Sequence, residues 1–221
     1  FFRGEPFCSS FWVGRYRCHD ACPRTGLAQL SALDQLNGRP KLLDVGIVEP
    51  VERPTLPDGK PLPFRCLQMD IPLAKRTPIA EHSYYKWLLH MEGISASSRL
   101  SQLMLVNSVI LFQRQPFIEY FYRSLQPNVH YVPFWNATDK DGMDDVYNVV
   151  RGLRQKDLED PDWVQGIVRA AQGFALKFTL PLARFQYLKD ALTAYRDLFP
   201  TMDSYLETYV DGLRGRGFNI R

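Results

Sequence analysis

Three apolar runs of strand length, at residues 85–91, 108–112 and 129–134, alternate with two segments whose spacing predicts helices, at 99–107 and 117–125. This alternation constrains the fold more than any other feature of the chain. Strands joined through helices pair in parallel, and a parallel sheet needs helices over both faces. An earlier unit has the same form: Leu27, Leu30, Leu33 and Leu36 recur at near-helical spacing, Asn37-Gly38 closes the segment, and residues 41–48 read as a strand. Residues 50–78 are rich in proline and read as a turn-rich connection with one strand near 64–69. The last third reads as four helices, at 144–156, 161–178, 182–199 and 202–213, with Pro161 suited to a first helical turn. The expected class is α/β, with a Rossmann-like domain over residues 1–180 and a helical extension over 181–221 whose helices pack back over the sheet.

Charge narrows the function classes. Lys and Arg number 27 against 24 Asp and Glu, a net charge of +3, with no concentrated basic patch of the kind that binds a phosphate backbone, so nucleic acid is not an expected partner. The densest basic group, Arg15, Arg17 and Arg24, reads as a solvated loop. No apolar run reaches the ~18 residues that span a bilayer. The chain opens at Phe1 on Phe-Phe-Arg-Gly, which reads as the end of a strand, so it is expected to be a piece of a longer protein with any targeting segment upstream. Cys8, Cys18, Cys22 and Cys66 are even in number; paired C-x-x-C units are absent, and loop disulfides, free thiols and a metal site all remain open. Asn136-Ala137-Thr138 is a glycosylation acceptor pattern.

The candidate site is the strand–loop–helix at 85–107. Its loop, Gly93-Ile94-Ser95-Ala96-Ser97-Ser98-Arg99, is built of small residues that let an anion approach the backbone, with hydroxyl donors and a guanidinium at the head of the expected helix. In open α/β sheets ligands bind beyond the carboxyl ends of the strands, where this loop falls. The bland alternative is a serine-capped helix with a surface arginine. Neither G-x-G-x-x-G nor the P-loop pattern is present, which argues against dehydrogenase and P-loop readings, and no G-x-S-x-G elbow anchors a hydrolase triad. The acidic run from Asp139 to Asp145 reads as a helix start rather than a metal site. His19, His82, His90 and His130 read as structural, and the aromatic residues between Phe117 and Trp135 as core.

Taken in order, Phe2-Arg3-Gly4, Pro23-Arg24, Leu30-Ser31, Lys41-Leu42-Leu43-Asp44, Glu81-His82, Tyr85-Lys86-Trp87-Leu88, the loop Gly93–Arg99, Leu125-Gln126-Pro127 and His130-Tyr131-Val132-Pro133 resemble glycosyltransferase family 90. That family holds the Rumi-like protein O-glucosyltransferases and the fungal capsule-associated xylosyltransferases. The resemblance implies a GT-B fold of two Rossmann-like domains, of which this chain would be the donor-binding half, lacking the N-terminal half. It implies transfer of glucose or xylose from a UDP-sugar, as co-substrate, to a hydroxyl of a protein or glycan acceptor in the endoplasmic reticulum or Golgi, with no metal required. The donor contacts it implies are Arg24, Ile94, Ser95, Ala96, Ser97, Ser98 and Arg99, with Arg3 and Gly4 as a possible donor loop. Three departures stand out. The family's catalytic aspartate lies in the N-terminal half and has no counterpart here, so an inactive nucleotide-sugar-binding or scaffold protein is the alternative. Glu5 stands where some relatives carry serine, and a carboxylate beside a diphosphate is repulsive. A cysteine pair of relatives would fall at Ser83 and Val106.

Overall fold

Every strand pairing among the described residues is parallel. The computed structural model describes residues 1–7, 22–49, 71–135 and 145–220. Strand β1 (Phe2–Gly4) pairs with β2 (Val45–Ile47), and β3 (Trp87–His90), β4 (Val109–Gln113) and β5 (Val132–Phe134) pair in the order β3-β4-β5. The two ladders meet edge to edge. The Phe1 nitrogen donates to the Trp87 carbonyl at 2.8 Å, and the Leu89 N–H to the Phe1 carbonyl at 3.0 Å. Leu73 adds a parallel bridge to Ile47 on the outer edge. The spatial order is therefore β2-β1-β3-β4-β5, and the chain reverses its direction of winding between β1 and β3. A crevice beyond the carboxyl ends of two such strands is where doubly wound folds hold ligands.

The buried strands lack polar alternation because both faces are covered. One face carries Phe2, Val45, Leu89, Val109, Leu111 and Phe134 against helix α1 (Pro23–Leu36) and helix α3 (Asp145–Glu159), which contribute Leu27, Val146, Val150 and Leu153. The other carries Leu88, Ile110 and Phe112 against helix α2 (Leu100–Leu103) and the end of α4 (Pro161–Phe178), through Leu103, Ala171 and Phe174. Pro23 fills the first turn of α1, where its missing N–H costs nothing, and Gly38 follows the helix at φ 62°, a conformation that favours glycine. The Tyr147 hydroxyl donates to Asp34 at 2.6 Å and ties α3 to α1.

The chain divides into two compact units, Phe1–Leu176 and Lys177–Arg221. The second consists of α5 (Pro181–Asp197) and α6 (Met202–Gly215) with their flanks. Among the described residues no helix is long and apolar enough to cross a membrane.

Most expected elements are present, with three corrections. The helix expected over 99–107 is a single turn: beyond Leu103 the chain closes i→i+3 bonds, Leu105 to Gln102 and Val106 to Leu103, and β-branched Val106 and the turn formers after it do not extend the helix. The helix expected over 117–125 reduces to a 3-10 turn at Tyr122–Ser124, because Phe121 and Leu125 are drawn into the core at a spacing of four without a supporting ladder. The strand expected over 41–48 shortens to three residues. The strand placed near 64–69, the glycosylation pattern at Asn136 and most of the Asp139–Asp145 run lie outside the described residues.

Candidate donor-binding cleft

A cleft of about 350 Å³ opens beyond the carboxyl ends of β1 and β3. It is lined from one side by Glu5 and Phe7, from the other by the loop Gly93–Arg99, and from α1 by Arg24. The structure thus brings Arg24, Ile94, Ser95, Ala96, Ser97, Ser98 and Arg99 to one cavity, although Arg24 and Arg99 are 75 residues apart in the chain.

Arg24 is the correction to the solvated-loop reading: it is 3% exposed. Its Nε donates to the Glu92 carbonyl at 2.6 Å, Nη1 to the Glu5 carbonyl at 3.1 Å and Nη2 to the Met91 carbonyl at 3.4 Å. One side chain on the first turn of α1 therefore joins the ends of both central strands. Cys22, immediately before that helix, is disulfide-bonded to a partner outside the described residues. Arg99 donates through Nη1 to the Arg3 carbonyl at 2.6 Å. The two guanidinium carbons lie 5.5 Å (Arg24) and 5.3 Å (Arg99) from the centroid of the buried Phe2 ring, within cation–π range. Neither arginine has a carboxylate at ion-pair distance among the described residues. A guanidinium carries five N–H donors, so both side chains keep donors beyond those given to carbonyls.

The electrostatics follow from this arrangement. Burial, and next the charge of Arg99, pull the Arg24 pKa down to about 10, against the opposing pull of Glu5 and Glu92. Arg99 is lowered by burial, with Glu5 raising it and Arg76 lowering it further. Two partly desolvated cations sharing one cleft favour an anion between them. Glu5, the departure noted in the sequence, is held by Arg76, whose Nη2 lies 2.9 Å from Glu5 Oε1 and also pairs with Glu49. The carboxylate at the rim therefore has its own counter-charge.

Glycine makes the close approach possible at two points. A Cβ on Gly4 would stand 2.6 Å from Phe2 Cζ and 3.1 Å from Arg99 Nη1, and one on Gly93 would stand 3.3 Å from Arg24 Nη2. Arg3 lies elsewhere: its Nη2 pairs with Asp44 Oδ1 at 2.8 Å and its Nη1 donates to the Phe2 and Asp44 carbonyls, so its guanidinium serves the β1–β2 pair.

The loop is held from beneath. The Tyr122 hydroxyl donates to the Ser97 carbonyl at 3.4 Å and lies 3.3 Å from His90 Nε2. With the phenol hydrogen directed to Ser97, His90 Nε2 is the donor and the buried Nδ1 is bare. Burial, with Arg24 and Arg99 adding to it, pulls the His90 pKa down to about 3, so the ring is neutral. His90 fits the expected structural role, but its link through Tyr122 to the loop was not visible in the spacing. Arg76 and Gln102, the latter also lining the cleft, were likewise missed; Gln102 stands four residues after Ser98, the one regularity that could have flagged it.

The one-turn length of α2 changes the physical account of the cleft. A helix dipole of that size is small, so positive potential comes from Arg24 and Arg99 rather than from the helix end. This combination, a parallel doubly wound sheet with two arginines and a serine-rich loop at its switch point, suits an anionic ligand.

Comparison with known proteins agrees on the family. The model of glycosyl transferase family 90 matches residues 12–208, and the chain belongs to that family. It is 28% identical over 124 residues to protein O-glucosyltransferase 1 of Rattus norvegicus, covering 56% of this chain and 29% of the relative. It is 38% identical over 65 residues to O-glucosyltransferase rumi of Drosophila melanogaster, covering 29% and 16%, and 27% identical over 134 residues to human protein O-glucosyltransferase 3, covering 61% and 25%. The chain spans less than a third of the length of these curated relatives.

Proposed function

We propose that this chain is the donor-binding domain of a GT-B glycosyltransferase that transfers glucose or xylose from a UDP-sugar to a hydroxyl of a protein or glycan acceptor. The observation that carries the reading is the convergence of Arg24 and Arg99 on one cleft, without carboxylate partners among the described residues, beside a loop of small and hydroxylic residues. The family match and the O-glucosyltransferase relatives support it.

The bond that breaks joins the sugar's anomeric carbon to the diphosphate oxygen. Negative charge grows on that oxygen as it departs, and preorganised donors placed around it lower the barrier. Arg24 is fixed by three carbonyls before ligand arrives, so little reorganisation is needed. Arg99, less buried, closes the other side. Ser95, Ser97 and Ser98 offer hydroxyls along the path, and Glu5 is kept from opposing the anion by Arg76. In this reading the arginines supply the neutralising charge and a metal ion is not required. The base that takes the acceptor proton lies outside this chain, in the N-terminal half of the enzyme. The reaction belongs to the lumen of the endoplasmic reticulum or Golgi.

The test is sugar transfer by the intact protein, with UDP-glucose and UDP-xylose compared as donors. Arg99→Ala is expected to lose transfer by about a hundredfold or more, as for removal of one transition-state donor. Unchanged turnover in that variant would remove the cleft from the mechanism.

A further inference from the structure

A second cavity of about 210 Å³ lies beside the carboxyl end of β4, walled by Phe112, Phe117, Tyr122 and Tyr131 and carrying the Gln115 side chain. Tyr122 belongs to both places: its ring lines this cavity, and its hydroxyl holds the Ser97 carbonyl in the arginine cleft's loop. The two cavities are thus neighbours, joined through Tyr122.

Gln115 is unusual here. Its Oε1 and Nε2 are both buried and neither makes a well-formed hydrogen bond; the Tyr122 phenol is a polar neighbour. A buried amide left unmade costs free energy, and such groups in native proteins mark a ligand or another absent partner. Burial, and then the charge of Glu119, raise the Tyr122 pKa, with hydrogen bonding to the neighbouring Gln115 side chain opposing them, so the phenol stays neutral and donates to Ser97. The amide keeps one acceptor and one donor to offer.

The walls select the kind of ring. Phe112 stands at 81° to Tyr122 and at 44° to Tyr131, with centroids 5.2 and 4.9 Å apart. Tilted faces form a bowl, whereas a flat nucleobase is best held in a slot between parallel faces. A puckered ring with C–H groups on its faces and hydroxyls on its edge matches a bowl with one amide in it.

Resting on the donor-domain reading, we propose that this cavity binds the sugar ring of the nucleotide-sugar, with Gln115 accepting from one hydroxyl and donating to its neighbour. The diphosphate then lies in the arginine cleft and the sugar reaches past Tyr122 into the bowl. Gln115 is on this account a specificity-determining residue for the donor.

The test compares the intact protein with Gln115→Leu, titrating UDP, UDP-glucose and UDP-xylose by calorimetry. Because the amide makes no well-formed hydrogen bond in the free protein, the substitution is expected to preserve folding, which circular dichroism checks; Gln115→Met serves the same comparison if Leu is not tolerated. The expected result is UDP affinity within about twofold of the parent and UDP-sugar affinity about tenfold weaker, the loss of a buried hydrogen-bonding group. Equal losses for UDP and UDP-sugar would overturn the proposal and move the nucleobase to this cavity. Unchanged binding of both would overturn it and leave the donor cleft standing. A parent protein that binds neither would overturn the donor reading and this inference with it.

Discussion

Arg24 Nε meets the Glu92 carbonyl at 2.6 Å, so a residue on the first turn of α1 holds the end of β3. The same guanidinium lines the cleft, so on the proposed reading Arg24 is a structural and a ligand-binding group at once. Arg24→Ala is expected to destabilise the protein by about 2–4 kcal/mol, since it leaves buried carbonyls unpaired, and to abolish UDP binding. Arg24→Lys rescues little, because one ammonium cannot reproduce a fork reaching carbonyls on two strands. Chemical denaturation and UDP titration on both variants check this.

Arg76 lies outside the proposed anion contacts and pairs with the carboxylate beside them. Arg76→Ala leaves the Glu5 carboxylate without its 2.9 Å partner at the rim of the cleft, and UDP affinity is expected to fall. Adding Glu5→Gln in the same background is expected to restore it. If the double variant binds UDP as weakly as Arg76→Ala, the role assigned to Glu5 is wrong.

Gly4 has no room for a side chain. Gly4→Ala places a Cβ 2.6 Å from Phe2 Cζ, and the ring it displaces packs against both cleft arginines. The expected cost is about 1–3 kcal/mol of stability from overpacking, together with weaker UDP binding. Thermal melts with and without UDP separate the two effects.

The neutral His90 gives stability a pH dependence of definite sign. Its native pKa is lowered from 6.5 to about 3 by burial and by Arg24 and Arg99. Below pH 6.5 the unfolded chain binds the proton and the native state does not, so stability falls as pH drops from 6.5 towards 3. By pH 5 this single group contributes a loss of about 2 kcal/mol. His90→Gln is expected to flatten the decline in Tm over that window, although His82, also lowered by burial, keeps part of it.

The sheet was legible because the apolar runs at 85–91, 108–112 and 129–134, which hold β3, most of β4 and β5, are short and spaced by crossover-sized segments. The loop Gly93–Arg99 was legible from its small residues. The segments expected as helices at 99–107 and 117–125 were not, because aromatic and aliphatic residues at a spacing of three or four satisfy a helix template even when tertiary packing, not a backbone ladder, recruits them. Arg24 misled for a related reason. A basic residue in a polar, cysteine-containing stretch reads as solvated, and only the fold supplies the carbonyls of Glu5, Met91 and Glu92 that justify burying it. The partners that matter most in the cleft are separated by tens of residues, and no local pattern encodes them.

The central claim is that the cleft between Arg24 and Arg99 holds the diphosphate of a nucleotide-sugar. The most direct test is calorimetric titration of UDP into the intact protein and its Arg99→Ala variant, with melting temperatures recorded alongside. UDP is expected to bind the parent, and the variant to bind at least about tenfold more weakly, as for loss of a charge-assisted contact, with a small change in Tm because among the described residues Arg99 gives one hydrogen bond, to the Arg3 carbonyl, and packs on Phe2. Equal UDP affinity in a correctly folded variant would contradict it.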